Sequence, residues 1–181
     1  MRPILFTLVA ALILSACGRA EGPASMEPNQ GGRGPEGPGA APMVAVPDWM
    51  QQAKMAPGQA CYLDIIEGAR HGADGWSLPR TASTRAVGWA VDGSVVQQPD
   101  AYLELRNEAG ASIYFKAVRS ERPDVSDSPR FAETRPVNAG LTVPLELVTL
   151  APGRYVLSLV VGDGPSAGRC AFEAETVLSI Q

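Results

Sequence analysis

The sequence predicts an all-β fold: a single antiparallel β-sandwich, immunoglobulin- or fibronectin-III-like, behind a disordered Gly/Pro-rich tether. Three observations predict it. Short runs of strand-forming residues recur after residue 59, separated by turn residues. No segment shows the apolar spacing of a long amphipathic helix. Two cysteines, Cys61 and Cys170, bracket the strand runs from first to last. About seven short strands with regular turn punctuation and no helices between them favour a two-layered antiparallel sandwich.

Each run has its own justification. Cys61–Ile66 opens the series. Ala86–Val91 sets Val87, Trp89 and Val91 on one face, which marks that face as the core side, and Asp92-Gly93 then signals a turn. Tyr102–Arg106 places Leu103 and Leu105 on one face, and Ala111–Val118 does the same with Ile113 and Phe115. Asn107–Gly110 joins these two as a hairpin loop. Thr142–Leu150 is a further strand, and Pro144 within it predicts an edge or a bulge. Tyr155–Val161 is almost wholly apolar and reads as a central strand, entered through the Pro152-Gly153 turn. The last run alternates through Cys170, Phe172, Ala174, Thr176, Leu178 and Ile180.

Upstream of the sandwich the chain changes character. Residues 1–16 carry one cation, Arg2, an apolar stretch from Ile4 to Leu14, and then Ser15 and Ala16. This is the three-part pattern of a secretory signal, and it falls short of the roughly 20 apolar residues that span a bilayer as a helix. The run Leu14-Ser15-Ala16-Cys17 resembles the lipobox of bacterial lipoproteins. That resemblance implies a lipidated Cys17 as the mature N-terminus, held at a membrane by several acyl chains. Gly18 stands where lipoproteins retained on the inner membrane often carry Asp, which favours the outer membrane, facing the periplasm. Residues 17–47 hold Gly31-Gly32-Arg33-Gly34-Pro35-Glu36-Gly37-Pro38-Gly39 and almost no bulky apolar side chain, the composition of a flexible stalk. Residues 48–58 are expected to form a short helix or linker, with Asp48 as its cap and Trp49 and Met50 packed on the domain edge. The sandwich itself is expected over residues 59–181.

With Cys17 assigned to lipid, Cys61 and Cys170 remain as a pair in an oxidising compartment. A disulfide between them is the economical reading. The formal net charge is −4, which provides no electrostatic footprint for nucleic acid. One histidine, His71, rules out a multi-histidine metal site, and no metal or cofactor site is expected.

The distinctive internal run is Glu121-Arg122-Pro123-Asp124-Val125. With Gly88-Trp89-Ala90 before it and Pro152-Gly153-Arg154-Tyr155 after it, the order resembles a small β-sandwich module of bacterial envelope proteins of unassigned function and of regions flanking glycan-modifying enzymes. The resemblance covers roughly Val87 to Val161, and Ala139-Gly140-Leu141 stands where that module has Gly-Phe. It implies a binding or structural role in the cell envelope. From the residues themselves, Arg122 and Asp124 either organise the loop, Arg122 pairing with Glu121 or Glu104, or offer polar ligand contacts within the long Ser120–Pro136 connection. Trp76, in the Gly-rich stretch 71–76, either stacks on a sugar or packs over one end of the sandwich. No catalytic residues are assigned. The enzymatic alternative is a hydrolase using His71, beside Asp74 and Ser77. The leading expectation is a membrane-anchored envelope lipoprotein whose sandwich binds a protein partner or a glycan.

Overall fold

The computed structural model describes residues 42–43, 45–57, 59–80 and 83–181. The leader, Cys17 and nearly all of the Gly/Pro-rich stretch lie outside the described residues. In chain order the elements are α1 (Asp48–Gln52), β1 (Lys54–Met55), β2 (Gln59–Ile66), β3 (Arg70–Gly72), β4 (Gly75–Leu78), β5 (Thr84–Asp92), β6 (Ala101–Asn107), β7 (Ser112–Lys116) and β8 (Val118–Ser120). Then follow α2 (Pro123–Ser126), β9 (Gly140–Leu145), β10 (Gly153–Val161) and β11 (Gly168–Ile180), with three short 3₁₀ turns between them.

Two sheets pack face to face. One has the order β2-β5-β9-β8; the other runs β3-β4-β11-β10-β6-β7, with β1 added beside β11. Reading β2, β5, β9 and β8 as A, B, E and D, and β11, β10, β6 and β7 as G, F, C and C′, gives the immunoglobulin-like arrangement the sequence predicts. The fold also has the corner bond of that architecture: Tyr155 Oη, at the start of β10, donates to the Ala151 carbonyl at 2.8 Å. Leu103, Leu105, Phe115, Leu141, Val143, Leu157, Leu159 and Phe172 fill the space between the sheets. Cys61 in β2 and Cys170 in β11 form a disulfide across the sandwich edge, Cα–Cα 6.2 Å, spanning 109 residues of chain. In the chain-entropy picture a loop that long contributes up to about 4.7 kcal/mol. Disulfides persist in oxidising compartments, which argues for an extracytoplasmic setting.

Several local expectations change. On β5 the small residues Ala86 and Ala90 face the inter-sheet core, whereas Trp89 and Val91 lie in a separate cluster with Ala60, Val125, Phe131 and Ala139. The apolar face of that strand is therefore its outer one, because a second small core covers it. The expected strand 111–118 is split at Ala117, where the chain leaves the second sheet for the first and bonds Ala117 N–H to the Ala101 carbonyl. Pro144 pairs with Arg85 on one side and lies beyond the end of β8 on the other, so its missing N–H costs no ladder bond. The strand ends at Leu145, not Leu150. In β11 the alternation survives a large bulge: Leu157 pairs with Thr176 and Ser158 with Ala171, leaving residues 172–175 unopposed. An insertion of even length preserves parity, so Cys170, Phe172, Leu178 and Ile180 all reach the same core.

The segment before β2 is more deeply engaged than an edge contact. Met43 N–H donates to the Tyr114 carbonyl on β7, α1 crosses the outer face of the second sheet, and β1 pairs in parallel with β11. Met50 is fully buried with Ala53, Tyr102, Tyr114 and Val160. Asp48 is not the cap; Pro47 holds that position and no side chain caps the helix.

Candidate functional site

The expected ligand contacts separate into two places. Arg122 and Asp124 belong to a clasp on the outer face of the first sheet. Pro123 starts α2, and the connection from residue 121 to 139 folds back over the sheet, Val125 and Phe131 packing against Trp89. Arg122 makes two parallel bonds to Asp124, Nε–Oδ1 and Nη2–Oδ2, both 2.8 Å, and its Nη1 meets Asp64 Oδ2 at 2.6 Å. The expected partners Glu121 and Glu104 are not used: Glu104 lies on β6 of the other sheet, where its carboxylate is occupied by Arg169. Hydrogen bonding to Asp124 raises the Arg122 pKa further, against the opposing effect of burial, and Asp124 is correspondingly held below the usual carboxylate range by Arg122.

Glycines make the clasp possible. A Cβ at Gly88 would sit 2.2 Å from the Tyr62 carbonyl oxygen, and one at Gly140 would sit 2.7 Å from Arg122 Cγ. The side chain of Arg122 thus runs over β9 and β5 to reach β2. Gly88-Trp89, Arg122 to Val125 and Gly140, scattered over 53 residues of sequence, are parts of one packed unit. This supplies the loop-organising role for the Arg122 motif.

Trp76 lies elsewhere, and it is in strand geometry rather than a loop. β3 and β4 form a hairpin in which His71 pairs with Trp76, and Trp76 pairs in parallel with Leu178 of β11. The imidazole stands edge-on to the indole, ring centroids 4.6 Å apart. This hairpin extends the second sheet past β11 and forms one wall of an open cleft of about 490 Å³. The cleft is lined by Tyr62, Leu63, Asp64, His71, Trp76 and Phe172, with Thr176. Its volume lies within the range of small-ligand sites, roughly 300–1,000 Å³. Asp64 connects the two places, because it lines the cleft with one side and receives Arg122 on the other.

Tyr62, Asp64 and His71 are exposed at the cleft, and Trp76 is half-buried. Among the described residues, Asp64 Oδ1, Tyr62 Oη, both His71 ring nitrogens and Trp76 Nε1 make no hydrogen bond to protein, while Asp64 Oδ2 is held by Arg122. Tyr62 is 46% exposed. The His71 ring is placed by Trp76, and no carboxylate or hydroxyl among the described residues bonds it. Tyr62 and Asp64 were not legible as site residues. Their strand position is readable, but the hairpin that faces them is brought there by long-range pairing with β11.

Sequence reasoning does not reach two further charges, the buried Glu104 and the half-buried Arg119. Glu104 accepts from Ser112 Oγ and Tyr114 Oη on Oε1, and from Ser158 Oγ on Oε2; Arg169 bonds both oxygens, at 2.8 and 3.2 Å, and donates to the Ala53 carbonyl. Burial pushes the Glu104 pKa up, but these hydrogen bonds and the Arg169 charge outweigh it, so the group stays below its ordinary value. Arg119 donates to the carbonyls of Pro99 and Ala90, and burial lowers its pKa to about 10. Both networks are structural staples beneath chain segments, whereas the cleft faces solvent. Comparison with known proteins identifies no relative: no family model, no curated protein and no solved structure matches this chain.

Proposed function

We propose that this chain is a membrane-anchored extracytoplasmic lipoprotein whose β-sandwich is a binding module of the bacterial cell envelope, with the Tyr62–Trp76 cleft as its contact site. The supporting observation is the convergence on one open cleft of aromatic rings with the Tyr62 hydroxyl, the His71 imidazole and one Asp64 oxygen, none hydrogen-bonded to protein among the described residues, backed by the bond that Arg122 makes to the other Asp64 oxygen. Sites that bind small ligands combine apolar walls with a few placed polar groups in this way. The lipobox-like run ending at Cys17 supports the anchor, the disulfide supports the oxidising side of a membrane, and Gly18 supports the outer membrane. On this reading the residues between Cys17 and α1 are a tether that lets the module reach its partner.

The anchor is tested with Cys17→Ser. Labelling with a radioactive fatty acid should disappear and the protein should move from the membrane to the soluble extracytoplasmic fraction, its melting temperature unchanged. Acyl labelling that persists, or unaltered membrane fractionation, would overturn the anchor. The binding role is tested by cross-linking in intact cells through a photoreactive residue at position 74, exposed at the tip of the β3–β4 hairpin beside the cleft. A defined adduct that Trp76→Ala abolishes is the expected result, and no adduct at any cell density refutes the cleft as a contact site.

A further inference from the structure

We infer that the cleft takes an uncharged oligosaccharide, of hexose or N-acetylhexosamine units; this rests on the binding-module reading and assigns its ligand class. The sugar would lie with a ring face on Trp76 or Tyr62 while its hydroxyls bond Asp64 Oδ1, Tyr62 Oη and the His71 imidazole.

The chemistry of the cleft selects this class. A sugar has one apolar C–H face and a rim of hydroxyls, each both donor and acceptor. The cleft matches it with indole and phenol rings and with a mixed rim: Asp64 Oδ1 only accepts, Trp76 Nε1 only donates, the Tyr62 hydroxyl does both, and His71 adds two ring nitrogens. Asp64 and Asp124 share the single cation Arg122, so the clasp carries one net negative charge; this disfavours an anionic ligand, while the 2.6 Å contact with Arg122 weakens the pull of Asp64 on a cation. Arg122 is itself gripped by both oxygens of Asp124. The free Asp64 oxygen is therefore held in position before the ligand arrives, which lowers the ordering cost of binding.

Two peptide modes fit less well. A proline-rich segment would also seat on aromatic rings, but it presents carbonyl acceptors and few donors, leaving the Asp64 oxygen unpaired. A peptide strand added to the β2 edge would meet the bulge at Asp64, where the pairing register shifts between Leu63 and Ile65, and a bulge breaks the regular ladder that strand addition needs.

The test uses the mature full-length protein and three probes: cellotriose, chitotriose and a proline-rich decapeptide, titrated by calorimetry and by intrinsic tryptophan fluorescence. Saturable binding of a trisaccharide is expected, with cellotriose and chitotriose distinguishing plain hexose from acetamido recognition. Tyr62→Ala, at an exposed edge position, should weaken it about tenfold, and Trp76→Ala should remove it, with melting temperatures recorded for both. Asp64→Asn keeps the shape and should weaken binding by a smaller factor.

If neither trisaccharide binds at millimolar concentration, or if binding is indifferent to Tyr62→Ala and Trp76→Ala, the saccharide assignment is wrong. Binding of the decapeptide in their place also overturns it. Should the in-cell adduct at position 74 form while both sugars fail, only the ligand class falls; loss of adduct and of sugar binding together defeats both readings.

Discussion

The two outer faces of the sandwich are each covered by non-strand chain and each pinned by an arginine–carboxylate bond, yet the bonds work in different surroundings. Over the second sheet, the strap from residue 42 to 57 lies on a buried pair: the Glu104 side chain is 2% exposed and that of Arg169 17%. Over the first sheet, the clasp of Arg122 joins Asp64 and Asp124, whose side chains are 33% and 63% exposed. The difference teaches what each is for. A buried pair satisfies charges that would otherwise be stranded beneath the strap, and losing one partner is costly. A wet pair gives little net stability, since water solvates whatever is left behind. Its value lies in orienting Asp64 at the cleft.

Glu104→Ala is expected to break the comparison most strongly. It strands the Arg169 guanidinium and three hydroxyls, and it should cost about 3–5 kcal/mol, read by urea unfolding. The pH dependence follows from the same group. The folded pKa of Glu104 lies below its unfolded value, so its contribution is complete above the unfolded pKa and is lost as pH falls through the folded one. Wild-type stability should therefore fall on acidification below the ordinary glutamate range, and Glu104→Gln should flatten that part of the profile. A parallel acid limb in the two proteins would show that the pair does not govern it.

Met50→Ala tests whether the strap is part of the fold by its packing as well as by its ion pair. Met50 is fully buried, and truncating it should cost about 2–4 kcal/mol. Proteolysis near residue 50 should accelerate in proportion to the loss. A change within 0.5 kcal/mol would mean the strap is dispensable. Arg122→Met should have the smallest effect on stability, about 1 kcal/mol or less, because the aliphatic stem still covers Gly140 while both carboxylates stay solvated. A loss of 3 kcal/mol or more would place the clasp in the same class as the buried pair and erase the contrast between the faces.

The Arg122 motif illustrates how far sequence reading reaches. That Gly88-Trp89 and Arg122 to Val125 belong together was visible as an ordered pattern, but not why. The reason is spatial: Trp89 and Val125 share a small core, and Gly140 clears the path of the arginine to Asp64. The sequence places Trp89 in the core between the sheets, whereas it is half-buried against the smaller outer cluster. Alternation specifies that Val87, Trp89 and Val91 share a face; it does not say which covering segment awaits that face. Trp76 reads in the sequence either as a stacking ring or as a ring packed over the end of the sandwich; it packs partly against the main core and also lines the cleft, where Tyr62, Asp64 and His71 of the neighbouring strands β2 and β3 meet Phe172 of the distant β11.

By itself, then, the sequence determined the strand class, the positions of most strands, the residues that share a face, and the pairing of Cys61 with Cys170. These rest on period-two alternation, turn residues and cysteine number, which are local or countable properties. Tertiary structure alone decided that both sheet faces are covered, that Glu104 and Arg169 meet under the strap, that β11 bulges without losing parity, and that a cleft opens beside Trp76. Each of these depends on contacts between residues distant in the chain, whose free energy no local pattern records.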